Sequence, residues 1–302
     1  MQQTHEVRST GTKVARALIW VFLLIVAVIT IFPVLYVVFG SFKENKELLV
    51  GGANIFPSVW VIQNYIDAWQ QANFARYTMN SLYISLGVMV LSLLNATMAG
   101  YVFSRRKSKF KSMLYSLFVA FMFINVGSVS LRPLYELAVG LKMNKSLFSV
   151  ILISVGGGQA TYIFLCRGFT DSLPRELDEA ATIDGCTFFQ TYWRIILPLL
   201  KPVLATVALL SFRQGWNEYI MPLVFTMTND ALRPLTVGVN MLKNAGDGTA
   251  AWNIMFAGAT ISIVPILIVY CRGMMYSFQP WRKDSSATVA STGLSRGRMI
   301  RQ

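Results

Sequence analysis

The sequence is short of charge, of histidine and of cysteine. Charged residues make up 14% of its 302 positions, against roughly 25% in an ordinary soluble domain. So little charge cannot cover a water-facing surface, which excludes a conventional globular protein. The single histidine, His5, lies at the N-terminus, so histidine-based metal or proton chemistry has no partner set. Cys166, Cys186 and Cys271 form no CxxC pair, which points to free thiols rather than a disulfide framework or a zinc site. No GxxxxGK[ST] phosphate loop occurs, so the chain is not an ATPase by that route. Period-two alternation is also missing, which disfavours a membrane β-barrel.

What is abundant is apolar sequence, 54% of the chain. About 20 apolar residues cross the hydrocarbon core. Six runs reach or approach that length: 17–40, 82–103, 112–131, 146–166, 199–219 and 254–271. Lipid offers no hydrogen-bond partners, so each run is expected to be a helix. The fold class is therefore an all-α membrane protein with six transmembrane helices. The first run is longer than the roughly 7–15 apolar residues of a secretory signal, and no small-residue cleavage site follows it. It is expected to stay as an anchor. The parse gives an N-terminal tail 1–16, a membrane domain 17–279 and a polar, Ser- and Arg-rich tail 280–302.

The six runs hold no Asp, Glu or His apart from Glu218 at the end of the fifth. Ion-coupled secondary transporters keep ionisable groups inside the membrane, so that alternative is disfavoured. The net charge is +13, yet the basic residues alternate with the spans as topology determinants do, rather than forming a nucleic-acid surface. Two-thirds of the 27 Lys and Arg residues fall on the side that holds both termini. The positive-inside rule makes that side the cytoplasm. The chain is thus expected to cross a membrane several times with both termini cytoplasmic, facing lipid and not nucleic acid.

Two outer connections are long. Residues 41–77 contain VIQNYIDAWQQANF, an amphipathic stretch with aromatics suited to the membrane interface. Residues 228–253 contain KNAGDGTA, where Gly246 and Gly248 flank Asp247 in a loop tip. The inner loop SRRKSKFKS is short, basic and lipid-facing. Within the spans, Arg213, Gln214 and Asn217 sit at i, i+1 and i+4, and Asn125 and Gln159 are further polar positions. An intramembrane arginine is a functional-site candidate, here for a solute path. Helix–helix hydrogen bonding or a snorkelling arginine is the competing reading. Gly156, Gly157 and Gly158 allow close helix packing.

The longest inner connection, 171–198, gathers acids in an otherwise basic chain: PRELDEAATIDGCTFFQTYWRIILPLLKP. Ser172 can cap a first helix and Pro174 suits its first turn. Glu176, Asp178 and Glu179 lie near its positive dipole end, and Gly185 suits a left-handed terminus. Phe188, Phe189, Tyr192, Ile195 and Ile196 then form an apolar stripe of helical period. The expectation is helix, glycine corner, helix, with Leu177, Ala180 and Ala181 on one face and the acids on the other. Either a partner docks on that small-residue face, or the acids are simply solvated.

The run EAATIDG, nine further residues, then Ile195-Ile196-Leu197-Pro198 resembles the EAA signature of permease subunits of bacterial ABC importers. Further pieces resemble the MalG-type permeases of carbohydrate importers: NIFPSVWVIQNY, Asn80-Ser81-Leu82, RPLYELAVGLKMNKS, RGFTDSLPRELDEAATIDG and GWNEYIMPL. The long C-terminal tail and Asn144-Lys145 depart from that family's pattern. The resemblance implies a non-enzymatic subunit with a cytoplasmic coupling helix between spans four and five. Glu179, Ala180, Ala181, Asp184, Gly185, Leu197 and Pro198 would couple to a partner ATPase dimer carrying ATP and magnesium. Asp184 would add a polar contact or cap the next helix. A second permease would complete the path for a di- or oligosaccharide, or a non-sugar solute such as glycerol phosphate. Lys243, Asn244, Ala245, Gly246, Asp247 and Gly248 would meet an extracytoplasmic solute-binding protein, and Arg213, Gln214, Asn217 and Asn125 would line the path.

Overall fold

The computed structural model describes residues 10–51, 54–71, 73–106, 108–124, 127–245 and 250–271, and all regular structure among them is helical. Most of both tails, Asn125 and the loop tip 246–249 lie outside the described residues. In chain order, α1 is Thr10–Gly40, α2 Asn45–Val50 and α3 Gln63–Gln71. The long α4, Phe74–Arg105, leads to α5, Lys109–Phe121, α6, Leu131–Gly140, and α7, Leu147–Asp171. The acidic stretch forms α8, Glu176–Ile183, and α9, Phe188–Leu199. After it come α10, Lys201–Asn217, α11, Ile220–Phe225, α12, Leu235–Met241, and α13, Trp252–Cys271. The chain divides into two compact units, residues up to 72 with 239–261, and residues 73–238 with 262 onward.

In the first unit α1 is apolar on all sides and its membrane-length stretch buries nothing, as suits a helix surrounded by lipid. Beyond it, polar groups tie the chain together. Asn64 donates from Nδ2 to Ser41 O and Lys43 O, both at 2.9 Å, and accepts from Asn253 Nδ2 at 2.7 Å. The buried Lys43 ammonium pairs with Glu47 at 3.0 Å and donates to Asn54 O at 2.6 Å. The expected amphipathic stretch is α3, with Asn64 and Ala68 buried and Ile66 and Trp69 exposed.

The second unit is built around α4, which packs on both α7 and α10. Small residues set these approaches. A methyl group at Gly100 would stand 2.8 Å from Cys166 Cβ and 2.9 Å from the Arg167 backbone nitrogen. One at Gly215 would stand 2.8 Å from Ser85 Cα. The buried hydroxyls of Ser85 and Ser211 donate to carbonyls four residues back, each at 2.6 Å, so they bring no unpaired donor into the interface. One core cluster centres on Ala96, Tyr101, Ile163, Cys166, Tyr192, Ile196 and Val207. A second, nearer the start of α4, holds Ile84, Val88, Val150, Ile151 and Phe225.

Two expected spans differ. Among the described residues four helices are long and apolar enough to cross a membrane, and α9 with α10 makes up to a fifth, bent by 82°. The run 112–131 is not one helix. It ends at Phe121, giving 13 residues and about 20 Å of rise, short of the roughly 30 Å core. Helical structure resumes at Gly127 with φ of +55°, a conformation that stops an α-helix and suits glycine. The run 199–219 begins at a corner rather than inside a helix. Pro198 and Pro202 lack backbone donors, and residues 192–196 take up a π-helical turn with Leu197 N bonded to Tyr192 O.

The Gly100 crossing supports a prediction. Gly100→Val should destabilise the folded protein by about 1–3 kcal/mol through overpacking, lowering its melting temperature in detergent. Gly168→Ala, where no atom lies within 4 Å, should be neutral or gain up to about 1 kcal/mol of helix propensity.

Candidate functional site

The acidic stretch does form helix, corner and helix. Glu176, Asp178 and Glu179 occupy the first turn of α8. Its N-cap is Arg175, without a side-chain cap bond. Ser172, the expected cap, instead donates to Phe169 O at 2.7 Å at the end of α7. At the other end Cys186 N bonds Ala181 O at 2.9 Å and Gly185 N bonds Thr182 O at 3.1 Å. With Gly185 at φ +80° this is a Schellman terminus, a left-handed position that a side chain would strain. The next helix is capped by Thr187 rather than Asp184. Thr187 Oγ1 accepts from Gln190 N at 3.3 Å and Gln190 Oε1 accepts from Thr187 N at 2.8 Å, a reciprocal box.

The end of α4 grips both helices. Thr97, Tyr101 and Arg105 stand at i, i+4 and i+8, one face of a helix. Tyr101 Oη donates to Asp178 Oδ1 at 2.8 Å, and Arg105 Nε lies 2.9 Å from Asp178 Oδ2. Arg105 Nη2 also donates to Leu173 O at 3.0 Å. The Tyr101 ring stacks on Phe188 with centroids 4.6 Å apart, and the Arg106 guanidinium lies 4.3 Å from the same Phe188 ring. Deeper in, the Thr97 and Tyr192 hydroxyls meet at 2.7 Å. Thr97 and Tyr101 did not stand out in the sequence, and Arg105, expected in a basic lipid-facing loop, instead ends α4 with its side chain buried against Asp178. Their signal was present as an i, i+4, i+8 polar row closing an apolar span.

This grip changes how the faces of α8 divide. Ala181 is buried, and Leu177 and Asp178 are half-buried beside it. Glu176, Glu179, Ala180 and Ile183 are exposed, at i, i+3, i+4 and i+7. The expected arrangement, with both alanines on one face and the acids opposite, is therefore corrected. Asp178 turns inward because Arg105 and Tyr101 compensate it, and Ala180 goes outward with Glu179. The Glu179 carboxylate makes no ion pair or hydrogen bond with the described residues, and Ile183 is 87% exposed. Asp184 and Gly185 are exposed as well, Leu197 packs on the first core and Pro198 is exposed at the bend.

The other expected sites are partly visible. Lys243, Asn244 and Ala245 form a 3-10 turn with Leu242, whereas Gly246, Asp247 and Gly248 lie outside the described residues. The base of this loop is pinned: Ala251 N bonds Lys243 O at 2.8 Å, Asn45 bonds both Ala250 O and Trp252 N at 3.0 Å, and Lys243 Nζ lies 4.5 Å from the Trp252 ring. Gln214 makes helix–helix bonds, accepting from Tyr162 Oη at 2.7 Å and donating to Ser154 O at 2.6 Å. Gly158 makes room for it, since a methyl group there would overlap Gln214 and Tyr162. Gln159, similarly, donates to Ser92 O at 3.5 Å. Arg213 and Asn217 are exposed one turn apart, and Asn125 lies outside the described residues. Gln214 and Glu218 border a mainly apolar cavity of about 560 Å³.

The chain is similar in sequence and in fold to known transport proteins. The arabinooligosaccharides transport system permease protein AraQ of Halalkalibacterium halodurans is 32% identical over 249 residues, covering 81% of this chain and 87% of that protein. The diacetylchitobiose uptake system permease protein NgcG of Streptomyces coelicolor is 28% identical, covering 82% of each chain. The fold is that of a bacterial ABC transporter solved by crystallography and involved in import of the acidic polysaccharide alginate. The TM-score to that chain is 0.74 at 21% identity, over 89% of this chain and 98% of that one. Residues 7–272 match the family description itself, and the chain belongs to the inner membrane components of binding-protein-dependent transport systems.

Proposed function

We propose that this chain is one of two membrane subunits of an ATP-driven importer for a di- or oligosaccharide, and that a separate ATPase drives it through α8. The observation that carries the reading is the split of α8. One face is fixed to α4 by Asp178, and the other presents Glu179, Ala180 and Ile183 without partners in the described chain. An acidic group beside a small residue and an exposed isoleucine suits a close contact with a basic, apolar-lined cleft. The relatives' solutes, arabinooligosaccharides and diacetylchitobiose, support a carbohydrate. The chain is a transport component and not an enzyme. ATP and magnesium would be held by the ATPase.

A solute-binding protein is a partner of this system, in keeping with the family description. The pinned loop base at Lys243 and Ala251 supports the residues between them as its contact. The second permease is supported by α10. Arg213 and Asn217 are exposed on one face with Thr206, and an arginine facing bare lipid is costly, so another subunit or a water-filled path should cover it. The chain is a multi-pass inner membrane protein. Both termini and α8 are read as cytoplasmic from the basic-residue bias. Six passes remain the proposed topology, with α5 and the residues after it forming the third. Irregular backbone at membrane depth, as at residues 122–124, is tolerated only where protein buries it or water lines it.

Two tests follow from the coupling reading. Glu179→Lys should leave the chain in the membrane while lowering ATP-driven uptake about tenfold or more, because a like charge replaces a docking anion. Normal uptake by vesicles carrying that variant would overturn the role of α8. Asp178→Asn should behave differently, costing about 1–3 kcal/mol of stability by stranding Arg105, read as a lower melting temperature. Separately, deletion of residues 243–250 should slow solute transfer from the binding protein in reconstituted vesicles. Unchanged transport kinetics would remove the loop from the reading.

A further inference from the structure

The chain itself joins α8 to two neighbours. It runs to α7 through the turn 172–175, and to α9 and α10 through the corner at Gly185. The side-chain bonds go elsewhere. Each segment of the polar insert is tied to one face of α4, a helix remote in sequence. At the end of α7, Asp171 Oδ1 accepts from Ser104 Oγ at 2.6 Å. In the turn, Arg105 Nη2 donates to Leu173 O at 3.0 Å and Pro174 O at 3.4 Å. On α8, Tyr101 and Arg105 share Asp178. On α9, Tyr101 stacks on Phe188 and Thr97 meets Tyr192. Positions 97, 101, 104 and 105 fall within about 100° of arc around a helix.

This face is closed to water. Thr97, Tyr101 and Ser104 are buried, and the Arg105 side chain is 7% exposed. Exposed ion pairs are screened and contribute little. A shielded pair holds, because parting it strands a charge. The two contacts on Asp178 differ in kind. Arg105 Nε lies 2.9 Å from Oδ2 without an aligned hydrogen bond, whereas the Tyr101 hydroxyl donates one to Oδ1. Arg105 therefore supplies the compensating charge. Tyr101 fixes which way the carboxylate, and with it α8, is turned.

We propose that Tyr101 and Arg105 are the positioning residues that make α4 the span driven by α8, ahead of the helices joined to α8 along the chain. The inference rests on the reading that an ATPase acts through α8. Coupling between distant sites is carried by packed side chains and hydrogen-bond networks. The turn 172–175 and the Gly185 corner offer only backbone with two soft dihedrals per residue. The α4 contacts offer an ion pair, hydrogen bonds and a ring stack across a dry interface. Movement of a docked α8 thus enters α4 first, and reaches α7 and α10 through the packing of α4 on both.

The test uses the whole importer with its ATPase, reconstituted in vesicles with the binding protein. An environment-sensitive fluorophore on Val90→Cys, a site 48% exposed farther along α4, reports movement of that helix when ATP and magnesium are added. Cys186→Ser and Cys271→Ser keep the label at one place. Arg105→Asp and Asp178→Arg should each retain the ATPase and its hydrolysis while cutting the emission change about tenfold. Together they reverse the pair, and the signal should return to within about threefold of the parent. Arg132→Asp, which breaks an exposed pair with Glu136 on α6, should leave it unchanged. Should the charge variants fail to assemble, Tyr101→Phe decides. It keeps the ring on Phe188, loses only the hydroxyl, and should lower the signal about fivefold. No emission change in the parent, an undiminished change in Tyr101→Phe, or a reversed pair no better than its assembled single variants would overturn the proposal. Glu179→Lys acts on the opposite face of α8 and tests docking. A harmful Glu179→Lys beside a silent Tyr101→Phe removes the α4 joint and keeps the docking role, whereas normal uptake with Glu179→Lys removes the docking role itself.

Discussion

The pairing of Asp178 with Tyr101 and Arg105 is the contact on which the arrangement of the polar end depends. A carboxylate placed between a phenol and a guanidinium is compensated, so it can be held at the inner face of α8. Once Asp178 is fixed there, helical geometry leaves no choice about the rest. Residues 176, 179, 180 and 183 must face away from α4, and Ala181 must lie beneath. The same grip orders the end of α4, and so places Arg106 over Phe188. One ion pair thus sets both the exposed acidic face and the cation over the ring next to it.

The bend that follows has a cause of equal simplicity. Pro198 and Pro202 remove two donors from a helix that would otherwise run straight from Phe188 to Asn217. The chain answers with a π turn and an 82° corner at Leu200. Tyr192, Ile196 and Leu200 are all buried in one core cluster, so the corner is held by packing and not by the prolines alone. α9 therefore belongs to the bundle as firmly as the membrane helices do.

Much of this was legible in the sequence, and the failures share a cause. Apolar length identified α1, α4, α7 and α13, because a run of twenty such residues has few alternatives in lipid. Glycine at 185 and the acids at 176, 178 and 179 placed α8 correctly. Local signals failed wherever a distant contact decided the outcome. Composition cannot tell which of four acids has Arg105 waiting for it, so Asp178 and Ala180 were assigned to the wrong faces. Thr187 outcompeted Asp184 as a cap because Gln190 could return its bond. The run 112–131 was apolar enough to cross, but its helix ends at Phe121 and helical structure resumes only at Gly127, and average hydropathy does not register where a backbone breaks. Gln214 could not be separated from Arg213 and Asn217 without knowing where Tyr162 lies.

The helix α4 is unbroken over 32 residues, about 48 Å from end to end. Its far end is fastened too. Asn80 Nδ2 holds the carbonyls of Ala231 and Arg233, each at 2.9 Å, and Ser81 Oγ accepts from Leu235 N at 2.8 Å. A strut clamped at both extremities and crossed by tightly seated glycines has little room to flex in between. A push applied where Asp178 sits would therefore be carried along the shaft, with little lost to bending, to the segment around Arg233.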